Sequence, residues 1–143
     1  MSGTSNAYRA IVVDDQSMFR QTARRILEGD GEFIVVGDTD SGDEAIRLAD
    51  RLLPDLVLMD IHLGEMSGFE VARRLKAKHP QMQVVLLSMF AEEEYVRLSS
   101  LFGALGFISK RDFTPKTLRQ LLETKSDRPD PPRHAPGDQP GKA

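Results

Sequence analysis

Five polar side chains stand where apolar runs end, and their types suit one kind of chemistry. Asp14 and Asp15 follow Ile11-Val12-Val13, and Asp60 follows Leu56-Val57-Leu58-Met59. Ser88 follows Val84-Val85-Leu86-Leu87, and Lys110 follows Phe107-Ile108-Ser109. Three carboxylates brought together repel one another and need a cation. Oxygen donors with room for water suit Mg2+, which seldom takes a full protein cage. A magnesium-bound carboxylate beside an ammonium and a hydroxyl can receive a phosphoryl group: the metal and Lys110 neutralise its oxygens, and Ser88 donates a hydrogen bond. Asp60, the central member, is the expected nucleophile, forming an aspartyl phosphate. Singly, each residue has an ordinary explanation. Asp15 caps the first helix, Ser88 caps a later one, and Lys110 is a solvated lysine. Their coincidence at the ends of successive apolar runs argues for a shared site.

The elements that must bring them together can be read from the pattern. The unbroken run Leu56 to Met59 is a strand buried on both faces. An isolated buried carboxylate costs several kcal/mol of desolvation, so Asp60 must emerge at the strand's carboxyl end. Tyr8 to Val13 is a first strand, and Gln16 to Glu28 a helix with Phe19, Ala23, Ile26 and Leu27 inward, stopped at Gly29-Asp30-Gly31. Phe33 to Val36 is a second strand. Ser41, with Glu44 three residues on, is a capping box opening a second helix whose stripe is Ala45, Leu48, Ala49 and Leu52. Ser67-Gly68 opens a third, with Phe69, Ala72 and Leu75 inward. After the strand ending at Ser88, Glu92 to Glu94 form the first turn of a fourth helix. Leu105 to Ser109 is the last strand, and Thr114-Pro115 starts a fifth helix lined by Leu118, Leu121 and Leu122. Five strands alternating with five helices predict a parallel sheet with helices on both faces, a flavodoxin-like (βα)5 three-layer α/β sandwich of strand order 2-1-3-4-5. In such a sheet all carboxyl ends share one edge, so the five polar residues converge by topology.

Composition narrows the function classes. At 143 residues, the chain suits one domain with a single core. The expected division is 1–7 as a flexible N-terminus, 8–125 as the domain, and 126–143 as a flexible tail rich in Pro and Gly. Cysteine is absent, which removes disulfides, thiol catalysis and Cys-based zinc sites, and fits a cytoplasmic setting. No apolar run approaches a membrane span, and residues 1–6 carry no apolar signal core. A net charge of −3 gives no general attraction to nucleic acid, so none is expected as a direct partner.

These residues resemble the receiver domain of two-component response regulators, and more narrowly its NarL/FixJ-like branch. The resemblance covers roughly Tyr8 to Lys125. It rests on Asp14-Asp15, Met59-Asp60-Ile61 with Ser67-Gly68-Phe69-Glu70, Leu86-Leu87-Ser88, and Gly106-Phe107-Ile108-Ser109-Lys110. It implies that Asp60 accepts phosphate from a sensor histidine kinase or phosphotransfer protein. It also implies that Asp14, Asp15, Asp60 and the backbone carbonyl of His62 bind Mg2+, while Ser88 and Lys110 hold the phosphoryl group. Phe107 is then the switch aromatic, moving inward with Ser88. The fourth helix, last strand and fifth helix become the surface for an output partner or for self-dimerisation. Phe107 read from its own surroundings is equally a plain core aromatic.

The chain departs from this pattern in several places. Gly64 replaces a usual proline, which predicts a looser loop after Asp60. Met89 is bulkier than usual, and Arg111 follows Lys110 in place of a frequent proline, so a cis bond there would cost about 3 kcal/mol. His62, Met89 and Phe90 are expected to flank the path of the hydrolytic water and to set the phosphate lifetime. No DNA-binding effector domain follows in this sequence, which is either a stand-alone receiver or a piece of a longer regulator. Two other functions compete: a receiver-like interaction module that is never phosphorylated, and a small Mg-dependent phosphatase working through an aspartyl phosphate. The phosphatase reading lacks a second Asp two residues after Asp60, where His62 stands.

Overall fold

A computed structural model describes residues 7–126. The expected flexible tail lies outside that range except for Ser126, which is the last residue of the final helix rather than the first of the tail, and so does all but one residue of the expected flexible N-terminus. The chain alternates β1 (Tyr8–Val13), α1 (Ser17–Asp30), β2 (Phe33–Thr39), α2 (Gly42–Leu52) and β3 (Leu56–Asp60). A short hairpin, β4 (His62–Leu63) and β5 (Met66–Ser67), leads into α3 (Gly68–Lys78) and β6 (Gln83–Ser88). Then come α4 (Glu93–Leu101), β7 (Gly106–Ser109), a 3-10 turn (Lys110–Asp112) and α5 (Pro115–Ser126). The five long strands pair in parallel in the order β2-β1-β3-β6-β7, the expected order once the hairpin strands are set aside.

Alternation within each strand sends its side chains to two cores. Ile11, Val13, Val57, Met59, Val84 and Leu86 pack with Ala45 and Leu48 of α2 and Val71 and Leu75 of α3. Ala10, Val12, Leu58, Val85 and Leu87 pack with Ala23 and Leu27 of α1 and Leu118 and Leu122 of α5. Each fully buried leucine contributes roughly 1.5–3 kcal/mol, more than any one surface ion pair here. This two-sided packing fixes the register of β3 and hence the height of Asp60 in the sheet.

Local signals explain most boundaries. The Ser41 hydroxyl accepts from the Glu44 amide at 3.1 Å, and Thr114 Oγ1 accepts from the Thr117 amide at 3.1 Å. The capping box expected at Ser41 forms only by half, because the Ser41 amide donates to Thr39 Oγ1 at 3.2 Å while the Glu44 carboxylate turns to Arg47. Helix α1 runs past Gly29 and ends at Asp30, with Gly31 in the left-handed region (φ 92°). Strand β2 is longer than its β-branched stretch, continuing through Gly37 and Asp38 after a bulge opposite Ala10/Ile11. Its outer edge is covered at Val35, whose amide donates to Glu28 Oε2 (3.1 Å) and whose carbonyl accepts from Arg24 (3.1 Å). All described peptide bonds are trans, including Lys110–Arg111.

Leu53 caps α2 at φ 47°, where an L side chain is strained, and it is 59% exposed. Leu53→Gly is therefore expected to stabilise the fold by roughly 0.5–1 kcal/mol, the relieved strain exceeding the added chain entropy. Urea unfolding of the two proteins checks this.

Candidate functional site

Four parallel strands deliver the predicted residues to one edge. Val13 and Met59 are paired across β1 and β3, so Asp14 and Asp60 leave adjacent strands at the same level. On the other side of β3, Asp60 is paired with Leu87, and Ser88 follows as the last residue of β6. Ser88 is in turn paired with Ser109, after which Lys110 opens the 3-10 turn.

The carboxylates of Asp14, Asp15 and Asp60 each place an oxygen within 4.8 Å of the others. Asp14 is fully buried, Asp60 is 5% exposed, and Asp15 lies open to solvent. Asp60 Oδ1 accepts from the His62 amide at 3.2 Å, and Oδ2 faces the Lys110 ammonium at 3.5 Å. The same ammonium is 2.6 Å from Asp14 Oδ2, with its side chain only 4% exposed. Asp14 Oδ1 accepts from the Gln16 amide at 2.8 Å, so Asp14 rather than Asp15 steadies the entry to α1. Asp14 Oδ2 is buried without a well-directed hydrogen bond despite its ion contact. A buried oxygen left so, with two further carboxylates beside it and one lysine to balance three negative charges, fits a small divalent cation.

Burial pushes the Asp60 carboxyl above its ordinary range, and the neighbouring Asp14 charge adds to the rise. The His62 amide and Lys110 act in the opposite direction without cancelling it. The folded protein thus holds a proton on Asp60 more tightly than the unfolded chain. Its contribution to stability is present at low pH and is lost as pH rises through the raised value. Asp60→Asn is expected to raise the stability of the metal-free protein near neutral pH by about 1–2 kcal/mol. The gain should shrink as pH falls into the ordinary carboxylate range. Urea midpoints over a pH series measure it, and an Asn variant no more stable than wild type at neutral pH would contradict this electrostatic picture.

The other expected residues are placed as follows. Ser88 is fully buried, its hydroxyl accepting from the Phe90 amide at 3.0 Å. His62 is at the start of the hairpin with its ring exposed, 6.1 Å edge-on from the Phe90 ring. Met89 and Phe90 are 51% and 61% exposed. Phe107 is half-buried, its ring 5.6 Å from that of Tyr95. Gly64 adopts φ 64° in a two-residue turn pairing His62 with Ser67 and Leu63 with Met66. The glycine thus closes a hairpin where an open loop was expected.

Three residues gain a role that the sequence pattern did not show. Gly68 brings the start of α3 so near β3 that a Cβ there would lie 2.2 Å from the Asp60 carbonyl oxygen. Arg20, in α1, donates to the Asp14 carbonyl at 2.7 Å and fixes the end of β1. Tyr95 touches His62, Phe69 and Phe107. Helical spacing marked neither Arg20 nor Tyr95, because both contacts reach across the carboxyl edge.

A five-stranded parallel sheet of this order, with helices on both faces, is the CheY-like, flavodoxin-like architecture. The chain belongs to the response regulator receiver domain family, which it matches over residues 10–123. It is 35% identical over 105 residues to the transcriptional regulatory protein DegU of Brevibacillus brevis, covering 73% of this chain and 44% of that protein. It is 35% identical over 102 residues to the response regulator GacA of Pseudomonas viridiflava, covering 71% of this chain and 48% of that protein. The receiver domain of the putative response regulator NarL from Mycobacterium tuberculosis superposes with a TM-score of 0.76 at 30% identity, covering 86% of this chain and 98% of that one. The chain spans about half the length of the curated relatives it matches. It is a receiver domain of two-component signalling, related to response regulators of the NarL/LuxR type. Among the described residues, no helix is long and apolar enough to cross a membrane.

Proposed function

We propose that this domain is a phosphorylatable switch in which Asp60 takes a phosphoryl group from a phosphohistidine on a sensor kinase or phosphotransfer protein. The observation that carries the reading is the Asp60 carboxylate at the edge of the sheet, with Asp14 and Asp15 oxygens within 4.8 Å and Lys110 at 3.5 Å. Asp14, Asp15 and Asp60, with the His62 carbonyl, would hold Mg2+, which would supply neutralising charge to the phosphoryl oxygens. An Asp60 carboxylate oxygen attacks phosphorus, the P–N bond of the donor breaks, and the leaving imidazole keeps its electron pair and takes up a proton. The His62 amide holds Oδ1 and so orients the carboxylate. Lys110 carries a positive charge to the new phosphoryl oxygens, and the Ser88 hydroxyl donates to one of them. Phe107 follows Ser88 inward and biases the surface of α4, β7 and α5, where Val96 and Leu101 are 59% and 69% exposed. That surface binds an output partner or a second copy, in the cytoplasm. The His62–Phe90 edge contact, with Met89 beside it in sequence, screens the phosphoryl group from water and sets its lifetime.

The domain takes part in its own phosphorylation and is otherwise no enzyme. His62 stands where an aspartyl-phosphate phosphatase would need its second carboxylate. The test uses beryllofluoride with and without Mg2+, on wild type and on Asp60→Asn. Magnesium-dependent binding lost in the variant supports the switch. No binding at all supports the unphosphorylated interaction module, and steady turnover of small phosphate esters supports the phosphatase.

A further inference from the structure

We propose that Phe19 is a positioning residue for Lys110, its ring face holding the ammonium above the acidic cluster. This rests on the phosphoacceptor reading of the site. Phe19 lies in the first turn of α1, which begins at Ser17, two residues after Asp15, so the helix carries the ring over the carboxyl edge. The Lys110 Nζ sits 4.7 Å from the centre of that ring. On its other sides it meets Asp14 Oδ2 at 2.6 Å and Asp60 Oδ2 at 3.5 Å. The ring is itself backed by Phe113, 5.8 Å away and tilted by 57°, just past the turn that carries Lys110. One segment thus supplies both the lysine and the side chain that steadies its aromatic wall.

The ring does something a carboxylate cannot. Asp14 draws the ammonium toward its own Oδ2, 2.6 Å away, against 3.5 Å to the Asp60 oxygen. A π face attracts a cation over its whole area, so Nζ can pivot from Asp14 toward the phosphoryl group without losing that attraction. The ring also keeps water off that side of the ammonium, which is 4% exposed, and so strengthens every ionic contact it makes. A leucine would fill similar space and provide no such face. In helix α1 Phe19 reads as one more inward apolar residue, so its spacing hides this role.

The experiment compares wild type, Phe19→Leu and Phe19→Tyr as full chains. Isotope-labelled lysine reports the Lys110 ε-methylene, assigned by its loss in Lys110→Arg. Wild type and the Tyr variant are expected to show this signal displaced by the ring from those of the other lysines, and the Leu variant to show it returned among them. Magnesium-dependent beryllofluoride affinity is expected to fall about 3- to 30-fold in the Leu variant and to change less than about 3-fold in the Tyr variant. An undisplaced Lys110 signal in wild type, or a Leu variant that binds as wild type does, overturns the proposal. If the Leu variant does not fold, the wild-type and Tyr signals decide alone. If wild type binds no beryllofluoride yet its Lys110 signal is displaced, the phosphoacceptor reading falls while the placement of Lys110 by Phe19 stands.

Discussion

Gly68→Ala is expected to cost at least about 3 kcal/mol of stability and to abolish magnesium-dependent beryllofluoride binding. The Cβ would lie 2.2 Å from the Asp60 carbonyl oxygen and 2.8 Å from the Ile61 Cα. Both neighbours are backbone, so no side chain can turn aside. The Gly68 amide also donates to the Ile61 carbonyl at 2.7 Å, tying the start of α3 to the residue after Asp60. Pushing α3 outward therefore drags the loop that orients the Asp60 carboxylate. Gly64, four residues earlier, is the control. Nothing lies within 4 Å of a Cβ there, and its need is conformational, at φ 64°. Gly64→Ala should cost only about 1 kcal/mol and leave binding measurable. Urea unfolding and beryllofluoride titration of both variants check the contrast. Equal, mild effects would show that the close approach at Gly68 is not what holds the loop.

Lys110→Met is expected to have an effect of similar size for an electrostatic reason. Its ammonium is the cation facing the buried carboxylates of Asp14 and Asp60. Methionine keeps the stem and removes the charge, leaving two buried acids facing each other. Breaking such a buried pair costs about 3–5 kcal/mol. Adding Asp60→Asn should recover part of the loss, because one of the two uncompensated charges is gone. Magnesium should also stabilise the single variant more than wild type, since the metal then meets more uncompensated negative charge. Thermal unfolding of the four proteins of the cycle, with and without Mg2+, measures both effects. A Lys110→Met protein as stable as wild type in the absence of metal would contradict the electrostatic balance described here.

Sequence pattern carried the sheet order and the edge because both follow from period and topology. The two-sided apolar runs of β3 and β6 could be nothing but central strands, and their last residues therefore share a rim. Asp14, Asp60, Ser88 and Lys110 were legible for that reason. What pattern could not carry is distance between elements. Gly68 reads as a helix opening, and only the approach of α3 to β3 turns it into a steric requirement. Phe19 and Tyr95 read as ordinary helix residues, and their partners Lys110 and His62 lie on other segments. Nothing in its sequence surroundings marks Arg20, yet it donates to the Asp14 carbonyl. The extension of β2 through Gly37 and Asp38 was hidden because both residues disfavour strands. There the pairing with β1, and with it the position of Thr39, overrides local preference.

The most direct test is to treat the protein with acetyl phosphate and Mg2+, reduce the product with borohydride, and locate the modified residue by mass spectrometry. The account predicts one acyl phosphate, on Asp60, formed only with magnesium and absent from Asp60→Asn. Modification at another residue, or undiminished modification of Asp60→Asn, would contradict it.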